Sequence, residues 1–425
     1  MKKISLRATA VAVAALATTS AFATDGYFPH GYGMKALGMG GASVAMTDNA
    51  FAGANNPATA VFSGGRIDLG GTLFMPKRGA SRTGGGGMNG AVESDKPNFV
   101  IPEFGYVRQI SGDTAVGLTV YGNGGMNTDY KGTGTDCTPG SPNANFLCGT
   151  GRLGVNLEQL VIAPVYAKKL SEQASFGVSP LLVYQTFEAK GLDGFTGWTN
   201  TARNPMIPAT GLTGNGKDTS TGVGIRVGFL TKLDAKTDLG VSYSPKVNMS
   251  RLDKYNQLFA DRGDFDIPAN FTFGIASQVT PAVKIAVDYQ QINYSDVHSV
   301  GNPQAQPNTA VLGDSDGSGF GWRNAKVLKV GAEWKYNEKL TLRAGYNHTN
   351  NPVTSPNVTF NIIAPGVITN HYTVGATMNM DKNSEVTFAY MYAPKVTLSG
   401  PSGLAGTDTI HMSQQSLGAQ YSWKF

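Results

Sequence analysis

Several things are scarce in this chain of 425 residues. Charged residues make up only 15% of it, cysteine occurs twice, and histidine occurs five times. Beyond the first two dozen residues, no apolar run approaches the length of a spanning helix. The longest, such as 160–163, are strand length, which excludes a bundle of membrane helices. The histidines, His30, His298, His348, His371 and His411, are scattered without metal-ligand spacing. Cys137 and Cys148 stand eleven apart in a Gly/Pro/Asn-rich stretch with no histidine nearby. In an oxidising compartment they read as one small disulfide loop, worth about 3 kcal/mol by loop entropy. No nucleophile elbow and no phosphate-binding loop is present. The segment 314–319 opens like a calcium loop, but Ala325 stands where the bidentate glutamate belongs. No cofactor is expected.

The first 23 residues read as a secretory signal. Lys2, Lys3 and Arg7 give a charged start, 8–17 an apolar stretch, and Ala21-Phe22-Ala23 a small-x-small cleavage site. Losing those three cations lowers the basic count from 34 to 31 against 29 acidic residues. That near balance gives no argument for nucleic acid.

The last nine residues, 417–425, alternate. Leu417, Ala419, Tyr421, Trp423 and Phe425 are apolar, and the positions between are small or polar. A period of two makes one face greasy and the other wet. Lipid outside, polar lumen inside and an aromatic girdle at the interface produce this pattern in outer-membrane barrels. The same alternation recurs upstream, at 283–290, 340–347 and 385–392. Short polar turns centred near 112, 172, 235, 281, 338 and 382 separate paired strands. Long segments lie between the pairs, near 77–96, 123–152, 191–216, 252–263, 300–320, 350–363 and 398–410. Six short turns and seven long loops make about fourteen strands. The expected fold is all-β: a transmembrane antiparallel β-barrel over 63–425.

Residues 24–62 do not alternate and are rich in glycine and alanine. They fit either a disordered periplasmic tail or a plug (hatch) folded into the lumen, where small residues allow close backbone packing. The stretch Gly38 to Ala45, with Asp48, Ala50 and Asn56-Pro57-Ala58, resembles the FadL-type long-chain fatty-acid transporter family. Pro102-Glu103-Phe104, Asn156-Leu157 and Phe425 extend the likeness over the mature chain. The resemblance implies a fourteen-stranded barrel with an N-terminal plug and transport of hydrophobic molecules. It also implies a third strand that bends inward and leaves a gap in the wall.

Residue chemistry points the same way. Leu160 to Ala163, Leu181 to Tyr184 and Phe99 to Ile101 are apolar on both faces. That implies a partly greasy lumen or, alternatively, a bulge that shifts the phase. Pro102, Pro164 and Pro180 each remove a ladder donor within a strand. Gly122-Asn123-Gly124-Gly125 fits either the inward kink of the third strand or an ordinary loop start. Tyr27 and Phe28, with Asn56, Pro57 and Ala58, are the expected gating residues. Phe146, Leu147, Phe195 and Trp198 are candidates for a capture groove among the external loops. Arg226, Arg323, Lys326 and Lys190 are candidates for holding a carboxylate.

The expected function is passive uptake of long-chain fatty acids or similar hydrophobic compounds, with lateral exit to lipid. Burial of a dozen methylenes is worth on the order of 10 kcal/mol. Neutral or aromatic hydrocarbons remain open as substrates, a general porin is the competing transport reading, and an enzyme finds no distinctive residue set. A monomer is expected, surrounded by outer-membrane lipid and inserted by the barrel-assembly machinery.

Overall fold

The computed structural model describes residues 25–132, 135–137, 144–305 and 310–425. The signal segment therefore lies outside the described residues. Fifteen strands form one antiparallel sheet. They are β1 (Arg66–Thr83), β2 (Gly90–Glu93), β3 (Phe99–Gln109), β4 (Thr114–Asn127), β5 (Gly154–Lys169), β6 (Ala174–Lys190), β7 (Asp218–Lys232) and β8 (Thr237–Ser244). The remainder are β9 (Asn270–Thr280), β10 (Val283–Ile292), β11 (Ala325–Lys335), β12 (Leu340–Thr349), β13 (Asn370–Asn379), β14 (Ser384–Pro401) and β15 (Thr407–Lys424). The short β2 pairs only with the outer end of β1. The other fourteen form a ring that closes where β15 pairs with β1, from Arg66 opposite Lys424 to Thr83 opposite Thr407. Closure at the β1–β15 seam removes the end edges of the sheet, which a membrane interior requires. Among the described residues no helix is long and apolar enough to cross a membrane.

The alternation maps onto the wall. Leu417, Tyr421 and Trp423 are exposed outward, while Gln420 and Ser422 are buried inward. All six short turns connect neighbouring strands. Two of the expected loops are shorter than the sequence suggests. Strands β14 and β15 run past the apolar belt and leave only 402–406 between them, and β1 continues to Thr83. Ladder hydrogen bonds do not need an apolar face, so strands can outlast the alternation that marks them.

Residues 25–62 sit within this ring. Tyr27, Phe28, Met34, Phe51 and Ala58 are all at most 2% exposed. Backbone N–H groups along the segment donate to side chains around the whole circumference. Gly33 reaches Glu103 on β3, Met34 reaches Gln420 on β15, Gly40 reaches Thr373 on β13, and Ser43 and Val44 reach Asp288 on β10. Ala50 reaches Asp68 on β1, and Gly53 reaches Thr119 on β4. A segment bonded to so many strands of one ring lies in its interior. A polar lumen face supplies acceptors to a chain with only one short helix, α1 (Met34–Gly38), and one 3-10 turn (Pro57–Phe62) to satisfy its own donors.

A buried ionic cluster ties the segment to the wall near the short-turn end. Lys35 Nζ lies 2.8 Å from Glu385 and 3.0 Å from Asp48. Arg66 bridges Asp68 and Glu385 at 2.9 and 2.8 Å, and Lys424 takes the other Glu385 oxygen at 2.7 Å. One carboxylate on β14 thus holds cations from the inner segment and from both strands at the barrel's closure.

Candidate functional site

Between β3 and β4 the pairing of the wall stops short. Their pairing runs from Ala115 opposite Gln109 to Val120 opposite Phe104 and stops there. Beyond that point β3 continues on β1 as far as Phe99, and β4 continues on β5 as far as Asn127. The cause lies in the glycine-rich run. On the β5 side Gly122 faces Leu160 and Gly124 faces Gln159, so Asn123 is an extra residue, a bulge. Every residue from Thr119 to Met126 is buried, so this half of β4 has turned away from lipid on both faces. Asn123 binds inward: its side chain accepts from the Tyr32 hydroxyl and donates to Gln159. At Gly124 a Cβ would come within 2.3 Å of the Tyr27 carbonyl oxygen, so the strand lies against the inner segment as only glycine allows. Across the gap, Pro102 offers no N–H to a missing partner.

A small cavity lies behind the gap. Ile101, Pro102 and Glu103 form its β3 side, Tyr121 and Gly122 its β4 side, and Pro29 to Tyr32 its inner side. Phe74 and Met391 add apolar surface from neighbouring strands. The strands expected to be apolar on both faces line the same half of the barrel. Phe99, Ile101, Val161, Ala163, Leu181 and Val183 are buried and belong to one apolar cluster. No register shift separates their residues, so no change of phase explains them. Opposite one another, Pro164 and Pro180 interrupt the β5–β6 ladder between Ile162 and Tyr166, and the Ser179 hydroxyl donates to the freed Pro164 carbonyl at 2.6 Å.

The start of the inner segment is clamped by aromatics. The Tyr294 hydroxyl accepts from the N–H groups of Tyr27 and Phe28 at 3.1 and 3.3 Å and donates to the Asp25 carbonyl. The Tyr27 ring lies 5.2 Å from Tyr294, 6.0 Å from Trp322 and 6.1 Å from Phe265. Nothing in the sequence singled out Tyr294 or Trp322, because each lies in an irregular loop or turn far from 27 in the chain. At the other end, Asn56 Oδ1 caps the 3-10 turn by accepting from Ala58 N–H at 3.0 Å. Its amide donates to the carbonyls of Val44 and of Phe229 on β7, at 2.7 and 3.1 Å. Pro57 occupies the first turn, where its missing N–H costs nothing.

The remaining sequence candidates do not assemble. Phe146, Leu147 and Phe195 are at most 4% exposed, and Trp198 packs on the same cluster. Phe195, Trp198 and Phe360 form a triad with ring centroids 5.2 to 5.7 Å apart. These side chains are the core of a cap made by the external loops, not an open groove. Apolar residues in long loops pack on one another instead of facing water. Of the four cations, only Arg226 is inside the barrel, and it donates to the carbonyls of Gly53 and Ala54 and lies 3.1 Å from the Tyr121 hydroxyl. Lys190 pairs with Glu188 at the outer rim, Arg323 donates to the Asn351 carbonyl, and Lys326 is exposed. Cys137 and Cys148 form a disulfide, with Cα atoms 5.5 Å apart.

A closed fourteen-stranded barrel, filled from within and breached beside an apolar cavity, defines a class of outer-membrane channel distinct from open porins. Residues 10–425 match the family described as outer membrane protein transport protein (OMPP1/FadL/TodX), and the chain belongs to that family. No curated protein matches it in sequence. Among solved structures, it is similar to the Pseudomonas putida toluene transporter TodX, with TM-score 0.69 and 20% identity over 95% of this chain and 100% of that one. The Ralstonia pickettii toluene transporter TbuX gives 0.67 and 20% over 93% and 99%. A Pseudomonas aeruginosa FadL homologue gives 0.68 and 15% over 94% and 100%. At these identities the likeness concerns the fold.

Proposed function

We propose that this protein takes up hydrophobic molecules passively across the outer membrane and releases them sideways into the bilayer between β3 and β4. The observation that carries this reading is the end of β3–β4 pairing at Val120 with a cavity directly behind it. A hydrophobic solute has no reason to cross the polar interior below. The inner segment blocks that route with buried ionic and hydrogen-bonded contacts. From the cavity, a lateral step leads to hydrocarbon, where each methylene regains about 0.8 kcal/mol relative to water. Family membership and the fold shared with toluene transporters and a FadL homologue support a hydrophobic cargo. Residues 25–62 act as the plug, Gly122 to Gly125 shape the opening, and Tyr27 and Phe28, held by Tyr294, are the gating end of the plug.

Closing the gap covalently tests this. Cysteines at Pro102 and Gly122, in a Cys137→Ser/Cys148→Ser background, lie where the next ladder pairs would fall. Oxidation should abolish uptake of a labelled hydrocarbon or fatty acid, and reduction should restore it. Unchanged uptake in the fully oxidised protein would rule out the lateral route.

A further inference from the structure

We propose that the cavity behind the gap selects an uncharged, compact hydrophobic molecule carrying one hydroxyl group, and disfavours carboxylates. This deepens the transport reading above and rests on it. Two side chains that line the cavity keep polar atoms without a partner among the described residues. His30 is 2% exposed, and neither ring nitrogen is hydrogen-bonded. Glu103 is 7% exposed; its Oε2 accepts from Gly33 N–H, and its Oε1 is left free. Buried polar atoms are nearly always paired, and each orphan costs free energy until something pairs it. Both residues line the same cavity.

The chemistry of the two orphans narrows what satisfies them. Glu103 Oε1 accepts a hydrogen bond, so the ligand must bring a donor. A neutral imidazole has one N–H to give, so the ligand must also accept. A hydroxyl does both with one atom. A ketone or ester lacks the donor, and an alkane or alkylbenzene leaves both groups unpaired. A carboxylate lacks the donor and would bury a charge in the cavity. No lysine or arginine lines the cavity to offset it. Arg226 and Lys329 also face the interior, but they line another cavity, which shares Pro29, Gly31 and Tyr32 with this one. They are engaged there, Arg226 with the carbonyls of Gly53 and Ala54 and Lys329 with the His30 carbonyl. The other face of the His30 ring stacks on His371, with centroids 5.2 Å apart, which holds the imidazole in place.

The test uses three probes of one shape: p-cresol, toluene and 4-methylbenzoate, which carry a hydroxyl, nothing and a carboxylate on the same ring. Equilibrium binding to the purified mature protein in lipid nanodiscs should rank p-cresol at least tenfold above toluene, with 4-methylbenzoate weakest. His30→Phe should bring the p-cresol-to-toluene ratio towards one. Glu103→Gln keeps an acceptor at the same place, so it should retain the hydroxyl preference. Heat-modifiable migration on gels checks that each variant is a closed barrel. Toluene and p-cresol binding equally to the unaltered protein would overturn the hydroxyl subsite and leave hydrophobic transport standing. So would 4-methylbenzoate binding as tightly as p-cresol. Failure of all three probes to bind a folded barrel would overturn both.

Discussion

Asn56 shows how much one side chain holds when it is buried in the barrel. It caps a turn and bridges two carbonyls from different elements, one of them in the wall. The wall is shaped to receive it: a Cβ at Gly228 would come within 1.9 Å of Asn56 Oδ1. Losing the cap costs about 1 kcal/mol, and each orphaned carbonyl adds about 1–3 kcal/mol. Asn56→Ala should therefore lower stability by roughly 3–7 kcal/mol on the same figures. Gly228→Ala should do similar damage by pushing the same amide aside. Because both changes break one contact, the double variant should fall short of the sum. Urea unfolding in lipid vesicles measures all three, and strict additivity would mean the contact is not shared. At this scale the sequence is informative where chemistry is local. Asn-Pro-Ala reads as a turn from its own residues. The orphaned Glu103 and His30 do not stand out, because what makes them unusual is the absence of partners, and partners are a property of the fold.

Among the elements, the strands were legible and the long loops were not. Strands carry a period of two imposed by lipid on one face and the plug on the other, and that period survives in the sequence at 283–290 and 417–425. The outer half of β4 was only partly legible: the glycines beside Asn123 read equally as a kink or as a loop start, and the strand runs through them to Asn127. The loops carry no period. Their apolar residues read equally well as a surface for capture or as a core, and packing among Phe195, Trp198 and Phe360 decides for the core. The loop between β8 and β9 adds an electrostatic feature that sequence alone leaves hidden. Burial, with the adjacent Asp266 carboxylate, raises the Asp264 carboxyl from 3.8 to about 7. A raised acid favours the folded loop when protonated. Its contribution is full below about pH 4 and is lost as pH rises through about 7. Limited proteolysis within 245–269 should therefore be faster at pH 8 than at pH 5. Asp264→Asn, which holds the neutral form, should flatten the difference. A protease whose own activity is matched at the two pH values makes the comparison fair, and an unchanged ratio in the variant would remove Asp264 as the cause.

For the whole molecule, the decisive relation is between ring size and filling. Eight strands enclose a space their own side chains occupy, whereas fourteen enclose more than that. Here the surplus is taken by residues 25–62, held by donors to seven strands and by the Glu385 ion cluster. The wall behind that filling is polar over much of its circumference, with Asp288, Lys329, Arg343 and Asn347 all facing inward. A polar wall emptied of its plug fills with water and conducts ions. In planar bilayers the intact protein should show little steady conductance, and deletion of 24–62 should open a large ohmic pore. A shorter deletion, 24–30, removes the clamp between Tyr27, Phe28 and Tyr294 together with His30 of the cavity lining. It should leave conductance low while changing hydrophobic uptake, because the ionic cluster and the Asn56 anchor remain. These two deletions separate the water route from the lateral one. High conductance of the intact protein would mean that residues 25–62 do not close the lumen to ions, and a pore opened by the shorter deletion would place the barrier at the first few residues instead of along the whole segment.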